Sequence, residues 1–456
     1  MIPLLVLLPF AAAAAAFLAR RRAAVARAIP VAAAAAGLAL TAAAWALRPA
    51  PAWNGWIAAD DTALPVLAVT HLLVLAAAIR IAGSPRRDAA DGRDMPDSVV
   101  AGCLLGLLGT MTLAAVSRHL GLLWVAVEGT TLASAPLIYL RRSPRALEAT
   151  WKYLLICSVG IALALLGTFL LAAAADPTGT RAVSLSLDDL VRDAASLQAP
   201  WLKAAFIFFL VGYGTKMGLA PMHTWLPDAH SEAPSAVSAL LSGAVLNAAF
   251  LALLRVHQVC AAAGLGDFSG GLLSGLGLLS VGVAAFFLLG QPDYKRMLAY
   301  SSVEHMGLLA LGVGAGAAGI FGALLHAVNH SLAKGALFLT AGRILDATGT
   351  KTAAEVRGLR LAMPATAALW IAGLFAIAGA PPFGTFLSEV SLFKALFDAG
   401  RWKTGLAALL LLAVAFAGMS RTMLGMLQGG EGEGAVRLRP PASRRADAAT
   451  WLPAAA

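Results

Sequence analysis

Residues 154–175 read LLICSVGIALALLGTFLLAAAA and contain no charged side chain. At a rise of about 1.5 Å per residue, an α-helix of this length crosses the roughly 30 Å hydrocarbon core of a bilayer. A transmembrane β-strand would alternate apolar and polar residues over about ten positions, which this continuous run of mainly Leu and Ala does not do. The stretch therefore predicts a membrane-spanning helix.

Apolar runs of this kind recur along nearly the whole chain. Of the 456 residues, 59% are hydrophobic and only 13% are charged, and the mean hydropathy is +0.79. A soluble core of any size would need more charge on the surface around it. The composition indicates an all-α polytopic membrane protein. About thirteen transmembrane helices are predicted, at residues 2–19, 29–47, 62–82, 98–116, 119–140, 151–175, 201–220, 234–256, 272–290, 296–315, 318–346, 365–398 and 403–427.

The first predicted segment has the length of a secretory signal peptide. However, no basic residue precedes its apolar run, and Arg20, Arg21 and Arg22 follow it. A signal peptide carries its positive charge ahead of the apolar region. We therefore interpret the segment as the first membrane helix, with a signal peptide as the alternative.

The net charge of +10 is distributed unevenly along the chain. When the loops are assigned alternately to the two sides of the membrane, 23 of the 34 Lys and Arg residues fall in or beside the loops of one side and 8 on the other. Loops rich in Lys and Arg remain in the cytoplasm. The pattern predicts a bacterial inner-membrane protein with its N-terminus outside and its C-terminus in the cytoplasm. It also removes the reason to invoke nucleic acid as a partner.

The three cysteines, Cys103, Cys157 and Cys260, lie far apart, in or at the ends of hydrophobic segments. The sequence has no CxxC motif and no Cys/His cluster of the kind that binds iron–sulfur clusters or zinc. We expect the cysteines to act as small buried apolar residues. We also expect this chain to carry no metal, cofactor or redox centre of its own.

Two predicted segments contain prolines that should break them. Pro221 follows Lys216 in the seventh segment, and Pro381 and Pro382 precede Glu389 in the twelfth. Proline removes a backbone donor and clashes with the preceding turn, and broken helices at matching places in two halves of a transporter indicate an inverted repeat. We predict a three-helix segment with a cytoplasmic loop, two inverted five-helix repeats and a basic, disordered cytoplasmic tail, at 1–97, 98–260, 261–428 and 429–456.

Residues 324–342, LLHAVNHSLAKGALFLTAG, place His326, His330 and Lys334 at intervals of four. On a helix these residues form one stripe, with about 6 Å of rise between neighbours. A charged side chain at the centre of a bilayer costs roughly 2.5 to 3.5 kcal/mol on insertion scales, so such residues mark a candidate ion path. The other ionisable residues that we assign to this path are Glu128, Lys216, His305 and Glu389.

These residue types suit proton transfer. A carboxylate beside a buried lysine stabilises its protonated form, so separating Glu128 from Lys216 would favour release of the proton. Histidine titrates near neutral pH and suits a relay. Plainer interpretations remain open: a structural ion pair for Glu128 and Lys216, a hydrogen-bonded helix-end residue for His305, and packing for His326.

Three further polar residues, His223, Asp228 and His230, lie just beyond Pro221. Irregular backbone at membrane depth is tolerated where it lines a water-filled cavity, and ionisable residues there mark ion pathways. We interpret these residues as a candidate entrance to the path, with ordinary loop and cap roles as the alternative.

Five motifs occur in an order that is typical of one superfamily. They are LLWVAVEGTTL (122–132), GYGTKMGLAPMHTWLPDAHSEAPSAVSALLSG (212–243), KRMLAYSSVEHMG (295–307), HAVNHSLAKGALFL (326–339) and GAPPFGTFLSEV (379–390). They resemble motifs of the antiporter-like proton-translocating subunits of respiratory complex I, multisubunit sodium/proton antiporters and energy-converting hydrogenases. The phrases VEGTTL, DAHSEAPS and NHSLAKGALF are most similar to the branch of hydrogenase 4 component F. The resemblance covers roughly residues 98–400.

The resemblance implies a proton-translocating membrane subunit of a redox-driven complex. Glu128 and Lys216 then correspond to the family's fifth-helix glutamate and seventh-helix lysine, and Glu389 to the ionisable residue of its broken twelfth helix. His305, His326, His330 and Lys334 correspond to its central hydrophilic axis. The implied partners are other membrane subunits, a soluble redox arm and the lipid bilayer, with protons, or Na⁺ in some relatives, as the transported ions.

The sequence departs from the family pattern in two places. Asn247 occupies the eighth-helix position where some relatives have lysine, and thirteen helices are predicted where many relatives have fourteen. Two other functions share the same residues: a secondary sodium/proton antiporter subunit, and the membrane subunit of an inorganic-carbon uptake complex. A membrane scaffold without conduction is disfavoured by the number of ionisable groups in the predicted helices. Because other chains would supply the driving force, we expect this chain itself to be non-catalytic.

Overall fold

The computed structural model of the protein describes residues 1–83, 95–180 and 183–428. Within these ranges the chain is a bundle of helices, and its strand-like pairings are four isolated β-bridges. The predicted tail, 429–456, lies outside the described residues. The α-helices in chain order are α1 (Ile2–Leu18), α2 (Ala23–Leu47), α3 (Ala63–Ala82), α4 (Asp97–Val116), α5 (Leu120–Ile138), α6 (Pro144–Ala175), α7 (Leu187–Arg192), α8 (Ala199–Met217), α9 (Trp225–Glu232), α10 (Ser235–Leu240), α11 (Leu246–Ala262), α12 (Gly266–Leu288), α13 (Tyr294–Gly314), α14 (Ala317–Thr348), α15 (Leu359–Ala362), α16 (Pro364–Ile377), α17 (Gly384–Asp398) and α18 (Trp402–Leu427).

Each predicted membrane segment coincides with a helix or with a broken helix, which confirms the all-helical membrane fold. Within the described ranges, nine helical stretches are long and apolar enough to cross a bilayer. Helices outside that set include the shorter α1 and α16. They also include α13 and α14, which carry most of the predicted ionisable path. Because of their polar and charged residues, α13 and α14 do not meet a criterion for membrane spans that is based on hydropathy and charge.

The two broken helices lie where the prolines predicted them. α8 ends before Gly218, and Pro221 lies in the connection to α9. Gly218 has a φ of +84°, a left-handed conformation that a residue without Cβ adopts at no steric cost. Pro381 and Pro382 lie in the connection between α16 and α17. Each predicted repeat thus contains one break, in its fourth membrane segment.

The helix formed by α10, a π-helical turn at Leu241–Val245 and α11 occupies the centre of the bundle. Its apolar span is completely buried. It belongs to the first predicted repeat and contacts both α8 of that repeat and α14 of the second, so it joins the two predicted repeats. π-helical turns are rare and occur frequently at functional sites.

Arginine side chains connect helix ends and loops on the side of the bundle that the positive-inside pattern predicts to face outward. Arg118, just before α5, pairs with Asp60 at 2.8 Å and also with Asp188. Arg255 on α11 is buried and donates a 2.7 Å hydrogen bond to the carbonyl oxygen of Ala114 at the end of α4. These contacts join the ends of several helices to the loops around them.

Candidate functional site

Glu128 and Lys216 are connected by a hydroxyl group. Glu128 on α5 accepts hydrogen bonds from Ser158 at 2.7 Å and from Thr131 at 3.2 Å. Lys216 on α8 donates to Oγ1 of Thr131 at 2.9 Å. Because a hydroxyl can accept one hydrogen bond while donating another, Thr131 links the lysine to the carboxylate.

Lys216 is fully buried, and its Nζ has aromatic and hydroxyl neighbours. It donates to the phenol oxygen of Tyr153 at 2.6 Å and lies 4.5 Å from the centroid of that ring. The Tyr153 hydroxyl is itself 2.6 Å from Oγ of Ser134, and the ring of Trp225 lies 6.0 Å from Nζ. Hydrogen bonds and aromatic faces offset part of the cost of burying an ammonium group.

The structure differs here from the direct ion pair that the sequence predicted. Among the described residues, no ion pair joins Glu128 to Lys216; Thr131 bonds to both. The reason is the orientation of the two side chains, since Glu128 lies on a partly exposed part of α5 whereas Lys216 is in the interior. Thr131 follows Glu128 by three residues on the same helix and fills the space between the two groups.

A second cluster connects three helices through two histidines. Nδ1 of His305 on α13 lies 2.8 Å from Nε2 of His326 on α14. Nδ1 of His326 lies 2.9 Å from Oγ of Ser388 on α17. All three side chains are buried, and the two rings are stacked with centroids 5.0 Å apart. The arrangement is a chain of two direct hydrogen bonds inside the bundle.

Glu389 lies beside this chain at the second helix break. One of its carboxylate oxygens and one ring nitrogen each of His305 and His326 lie within 4.8 Å of one another. The carboxylate also packs against Gly379, whose φ is +63° and where a Cβ would collide with Oε2 of Glu389. Glycine at this position therefore leaves the space that the carboxylate occupies.

His305, His326 and Glu389 also have residue types that bind metal ions. In a tetrahedral site with metal–nitrogen bonds of roughly 2.0 to 2.1 Å, two ligand nitrogens lie roughly 3.3 Å apart. The facing nitrogens of His305 and His326 are 2.8 Å apart, the distance of a hydrogen bond. The geometry matches a shared proton better than a shared metal ion.

Lys334 and His330 extend the second cluster along α14. Nζ of Lys334 is buried and donates to a backbone carbonyl of α13 at 2.6 Å and to the hydroxyl of Ser301. The ring of His330 lies 4.9 Å from that of His305. Neither ring nitrogen of His330, nor one carboxylate oxygen of Glu304, has a hydrogen-bond partner among the described residues. Buried polar atoms nearly always have a partner in protein or ordered water, so we expect water to contact these groups.

Neutral polar side chains link the central helix to α13 and α14. In the π-helical turn, Oγ of Ser242 lies 2.8 Å from Oγ of Ser302. Asn247 donates to Oγ of Ser331 at 2.8 Å. At the position where some relatives have lysine, this chain therefore has a hydrogen-bonded amide. A path from Lys216 to the second cluster would have to use neutral groups or water here.

The three residues predicted at the entrance lie at different depths. Asp228 lines a surface pocket of about 280 Å³ and pairs with Lys152 at 3.2 Å. His223 and His230 are buried, and the ring of His230 stacks on Phe338 with centroids 5.1 Å apart. Only Asp228 of the three lines this pocket, whereas the histidines lie in the interior of the bundle.

Ionisable character identifies the predicted site residues in the sequence, but it does not identify the hydroxyl groups that bond to them. Thr131, Tyr153 and Ser388 carry no charge, and Ser and Thr occur widely where membrane helices pack. The available sequence signal was proximity, since Thr131 follows Glu128 by three residues and Ser388 directly precedes Glu389.

The sequence is similar to two curated proteins over more than half of its length. It is 43% identical over 294 residues to the Hydrogenase-4 component F homolog of Methylacidiphilum infernorum, a match that covers 64% of this chain and 62% of the relative. It is 33% identical over 283 residues to NADH-quinone oxidoreductase subunit N of Desulforudis audaxviator, with 61% of this chain and 55% of the relative covered. The chain thus spans less than two thirds of the length of the curated relatives it matches first.

Solved structures share the fold over nearly the whole chain. A chain of respiratory complex I from Thermus thermophilus with bound aureothin superposes with a TM-score of 0.80 at 26% identity, covering 99% of this chain and 95% of that one. A chain of an archaeal membrane-bound sulfane sulfur reductase has a TM-score of 0.87 at 22% identity, with 99% and 92% covered, which is a likeness of fold alone.

A family model matches a continuous part of the chain that contains every predicted site residue. The match extends over residues 117–416, and the family is described as NADH:quinone oxidoreductase/Mrp antiporter, TM. Both buried clusters and both helix breaks lie within those residues. The chain is therefore an antiporter-like integral membrane protein that belongs to the NADH:quinone oxidoreductase/Mrp antiporter transmembrane family.

Proposed function

We propose that this chain moves protons across the membrane as a subunit of a redox-driven complex. The observation that carries the proposal is a set of buried and half-buried ionisable side chains in the helix bundle, most of which belong to hydrogen-bonded clusters. Such groups are expensive in a bilayer and mark ion pathways in membrane proteins. Its members, with the hydroxyl groups between them, are Glu128, Thr131, Lys216, Tyr153, Lys334, Ser301, His330, His305, His326, Ser388 and Glu389.

The first cluster suits a charge switch. Two unit charges about 4 Å apart attract by roughly 4 kcal/mol at an effective dielectric constant near 20, and the attraction falls as they separate. With Thr131 between them, Glu128 and Lys216 interact at longer range than in a direct pair. A small movement of either helix would then change the attraction and favour uptake or release of the proton on Lys216.

The energy for transport would come from other chains. The sequence shows no nucleotide-binding motif and no CxxC motif that could capture it. We propose other membrane subunits and a soluble redox arm as partners. Large apolar side chains on the outside of α5 and α6, such as Val125, Leu155 and Phe169, are more than half exposed and would contact lipid or those subunits. Sodium/proton exchange and inorganic-carbon uptake are the alternatives that use the same site.

The proposed orientation places the N-terminus outside and the C-terminus in the cytoplasm of a bacterial inner membrane. It rests on the excess of basic residues in the loops of one side. In this orientation the pocket lined by Asp228, Lys152 and Arg296 faces the cytoplasm and Arg118 faces outward. A reporter fused after Ala456 that is active only outside the cell would contradict this orientation.

The proposed function is tested by Lys216→Met, with Glu128→Gln beside it, in the assembled complex. Removing the buried ammonium group removes one of the two charges of the proposed switch, so proton transport per electron pair should fall below a tenth of normal. The matched control is Lys394→Met, because Lys394 is exposed on α17 and its ion-pair partner among the described residues is Asp398, one turn further along the helix; its transport should be unchanged. Equal subunit levels in the membrane must be shown for all variants.

The opposite pattern, with normal transport in Lys216→Met and a loss in Lys394→Met, would refute the site. Transport that requires Na⁺ and proceeds without an electron donor would instead favour the antiporter alternative. Proton transport by the isolated chain in liposomes, without partners, would contradict the proposed dependence on a redox complex.

A further inference from the structure

The hydroxyl of Ser388 has two neighbours that could each accept its single proton. Its Oγ lies 2.9 Å from Nδ1 of His326 and 2.8 Å from the carbonyl oxygen of Thr385. A hydroxyl has one donor and two acceptor positions. Ser388 can therefore accept from His326 while donating to Thr385, or donate to His326, and it cannot donate to both at once.

The state of Ser388 determines the tautomers of the two histidines. In a neutral imidazole one nitrogen donates and the other accepts. If Nδ1 of His326 donates to Ser388, its Nε2 is bare and accepts from Nδ1 of His305. If Ser388 donates to Nδ1 of His326, the proton of His326 is on Nε2 and points to His305. The two arrangements contain the same number of protons, but in the second the proton of each histidine is on Nε2 rather than on Nδ1.

We propose that Ser388 is a positioning residue that lets His326 change tautomer without moving its ring. The inference rests on the proposed proton transport and names a residue that this transport requires. The side chains of His326 and Ser388 are both fully buried. Bulk water therefore could not replace the hydroxyl of Ser388 as the hydrogen-bond partner of Nδ1 of His326. The hydroxyl supplies that partner in either tautomer, as acceptor in one and as donor in the other.

One proton enters and one leaves in this step. Nε2 of His305, which has no hydrogen-bond partner among the described residues, binds a proton and the ring becomes cationic. The Nδ1 proton of His305 then passes to Nε2 of His326. His326 releases its Nδ1 proton to a water molecule, which passes a proton to the carboxylate of Glu389; an oxygen of that carboxylate lies within 4.8 Å of a ring nitrogen of His326. Ser388 turns from Thr385 to donate to the bare Nδ1, and only N–H and O–H bonds have changed.

A matched control lies one turn away on the same helix. Ser391 donates to the carbonyl oxygen of Leu387 at 2.8 Å and is half-buried. Ser391→Ala therefore removes the same kind of helix hydrogen bond as Ser388→Ala, without affecting a histidine. Ser388→Thr keeps a hydroxyl at the critical position and serves as the conservative variant.

The experiment measures transport and tautomers in the same preparations of the assembled complex. The chain is labelled with ¹⁵N-histidine, and the His326 signals are identified by their loss in His326→Gln. Ser388→Ala should shift the ¹⁵N signals of His326 and slow proton transport about tenfold. Ser388→Thr should restore both, and Ser391→Ala should match the unmodified complex in both.

Unchanged His326 signals in Ser388→Ala would overturn the positioning role, whatever happens to transport. Equal slowing by Ser391→Ala would overturn it too, since that variant does not touch the histidines. If the unmodified complex moved no protons while Ser388→Ala still shifted the signals, the proposed function would fail and the control of the tautomer by Ser388 would stand.

Discussion

The two buried clusters connect ionisable groups by different means. In the first, the hydroxyl of Thr131 lies between the carboxylate of Glu128 and the ammonium group of Lys216. In the second, the rings of His305 and His326 are in direct contact, with nitrogens 2.8 Å apart. The first cluster holds two groups that are charged in water. The second holds two imidazole rings, each of which can donate through one nitrogen while accepting through the other.

This difference indicates a division of roles. A hydroxyl neither gains nor loses a proton readily near neutral pH, so Thr131 can transmit an electrostatic change between two fixed groups but is a poor resting place for a proton. An imidazole can hold a proton on one nitrogen and release another from the second nitrogen. We infer that the first cluster sets when a proton moves and the second provides the route.

The largest effect is expected from His305→Gln, which breaks the route. Glutamine can still hydrogen-bond to His326, but its amide does not bind a proton near neutral pH. Proton transport per electron pair should fall at least tenfold. The control is His257→Gln, because His257 is also buried and hydrogen-bonded, to Ser269 at 2.9 Å, but lies on α11 outside both clusters. If proton transport fell equally in His305→Gln and His257→Gln, the loss would be a general effect of replacing a buried histidine. The assignment of the route to His305 would then be wrong.

A smaller effect is expected from Thr131→Val, which removes the hydroxyl between Glu128 and Lys216 at nearly constant volume. A typical hydrogen bond contributes about 1 kcal/mol net, which corresponds to about a fivefold change in rate. Transport should therefore slow about fivefold and should not stop. The measurement is again proton transport per electron pair in the assembled complex.

The neighbouring Thr130 provides the control for this variant. Its hydroxyl donates to the carbonyl oxygen of Val127 at 2.7 Å and is equally buried. Thr130→Val should leave transport within about twofold of normal, since a single hydrogen bond to a helix carbonyl is lost. If Thr131→Val abolished transport as completely as His305→Gln, the hydroxyl would lie on the route itself, and the division of roles between the clusters would be wrong.

The sequence predicted the helices well because burial in lipid depends on composition over long windows. The main error in position concerns α6, which begins at Pro144 rather than at the predicted 151. Oγ of Ser143 accepts a hydrogen bond from the backbone N–H of Ala146, so it caps the helix two turns earlier. The added turns include Glu148, which pairs with Lys152 outside the apolar span. A search for apolar runs cannot detect such a polar extension.

The candidate site was predictable in part, for a related reason. Ionisable residues are so rare in membrane helices that Lys216 and His326 stand out in the sequence alone. The bonds between them depend on the rotation and depth of each helix, which a hydropathy pattern does not determine. Thus the sequence pattern does not indicate that Thr131 links Glu128 to Lys216. The π-helical turn at Leu241–Val245 has no compositional signal that would distinguish it from ordinary helix.

The smallest effect on transport is expected at Asp60, which lies outside both clusters and affects stability. Its carboxylate accepts hydrogen bonds from the backbone N–H groups of Thr62 and Ala63 and pairs with Arg118. Burial alone would raise the pKa of Asp60, but the charge of Arg255 and these hydrogen bonds together hold the pKa below its usual value. A lowered pKa in the folded state stabilises the fold above the unfolded-state value near pH 4, and this contribution is lost as the pH falls through the folded-state value.

Asp60→Asn removes the negative charge that pairs with Arg118 and should therefore lower the apparent unfolding temperature of the purified complex at pH 7, by an amount that corresponds to about 1 kcal/mol. The difference from the unmodified complex should shrink below about pH 4, where the carboxylate of Asp60 becomes protonated in the folded protein as well. Asp61→Asn is the matched control, because Asp61 has 85% of its side chain exposed and its ion pair within the described part of the chain is a surface pair with Arg48. It should change the unfolding temperature little at either pH.

Proton transport should be normal in both variants. A loss of transport in Asp60→Asn at unchanged stability would place the Asp60–Arg118 pair on the proton route. The route could then no longer be assigned to the histidine cluster alone.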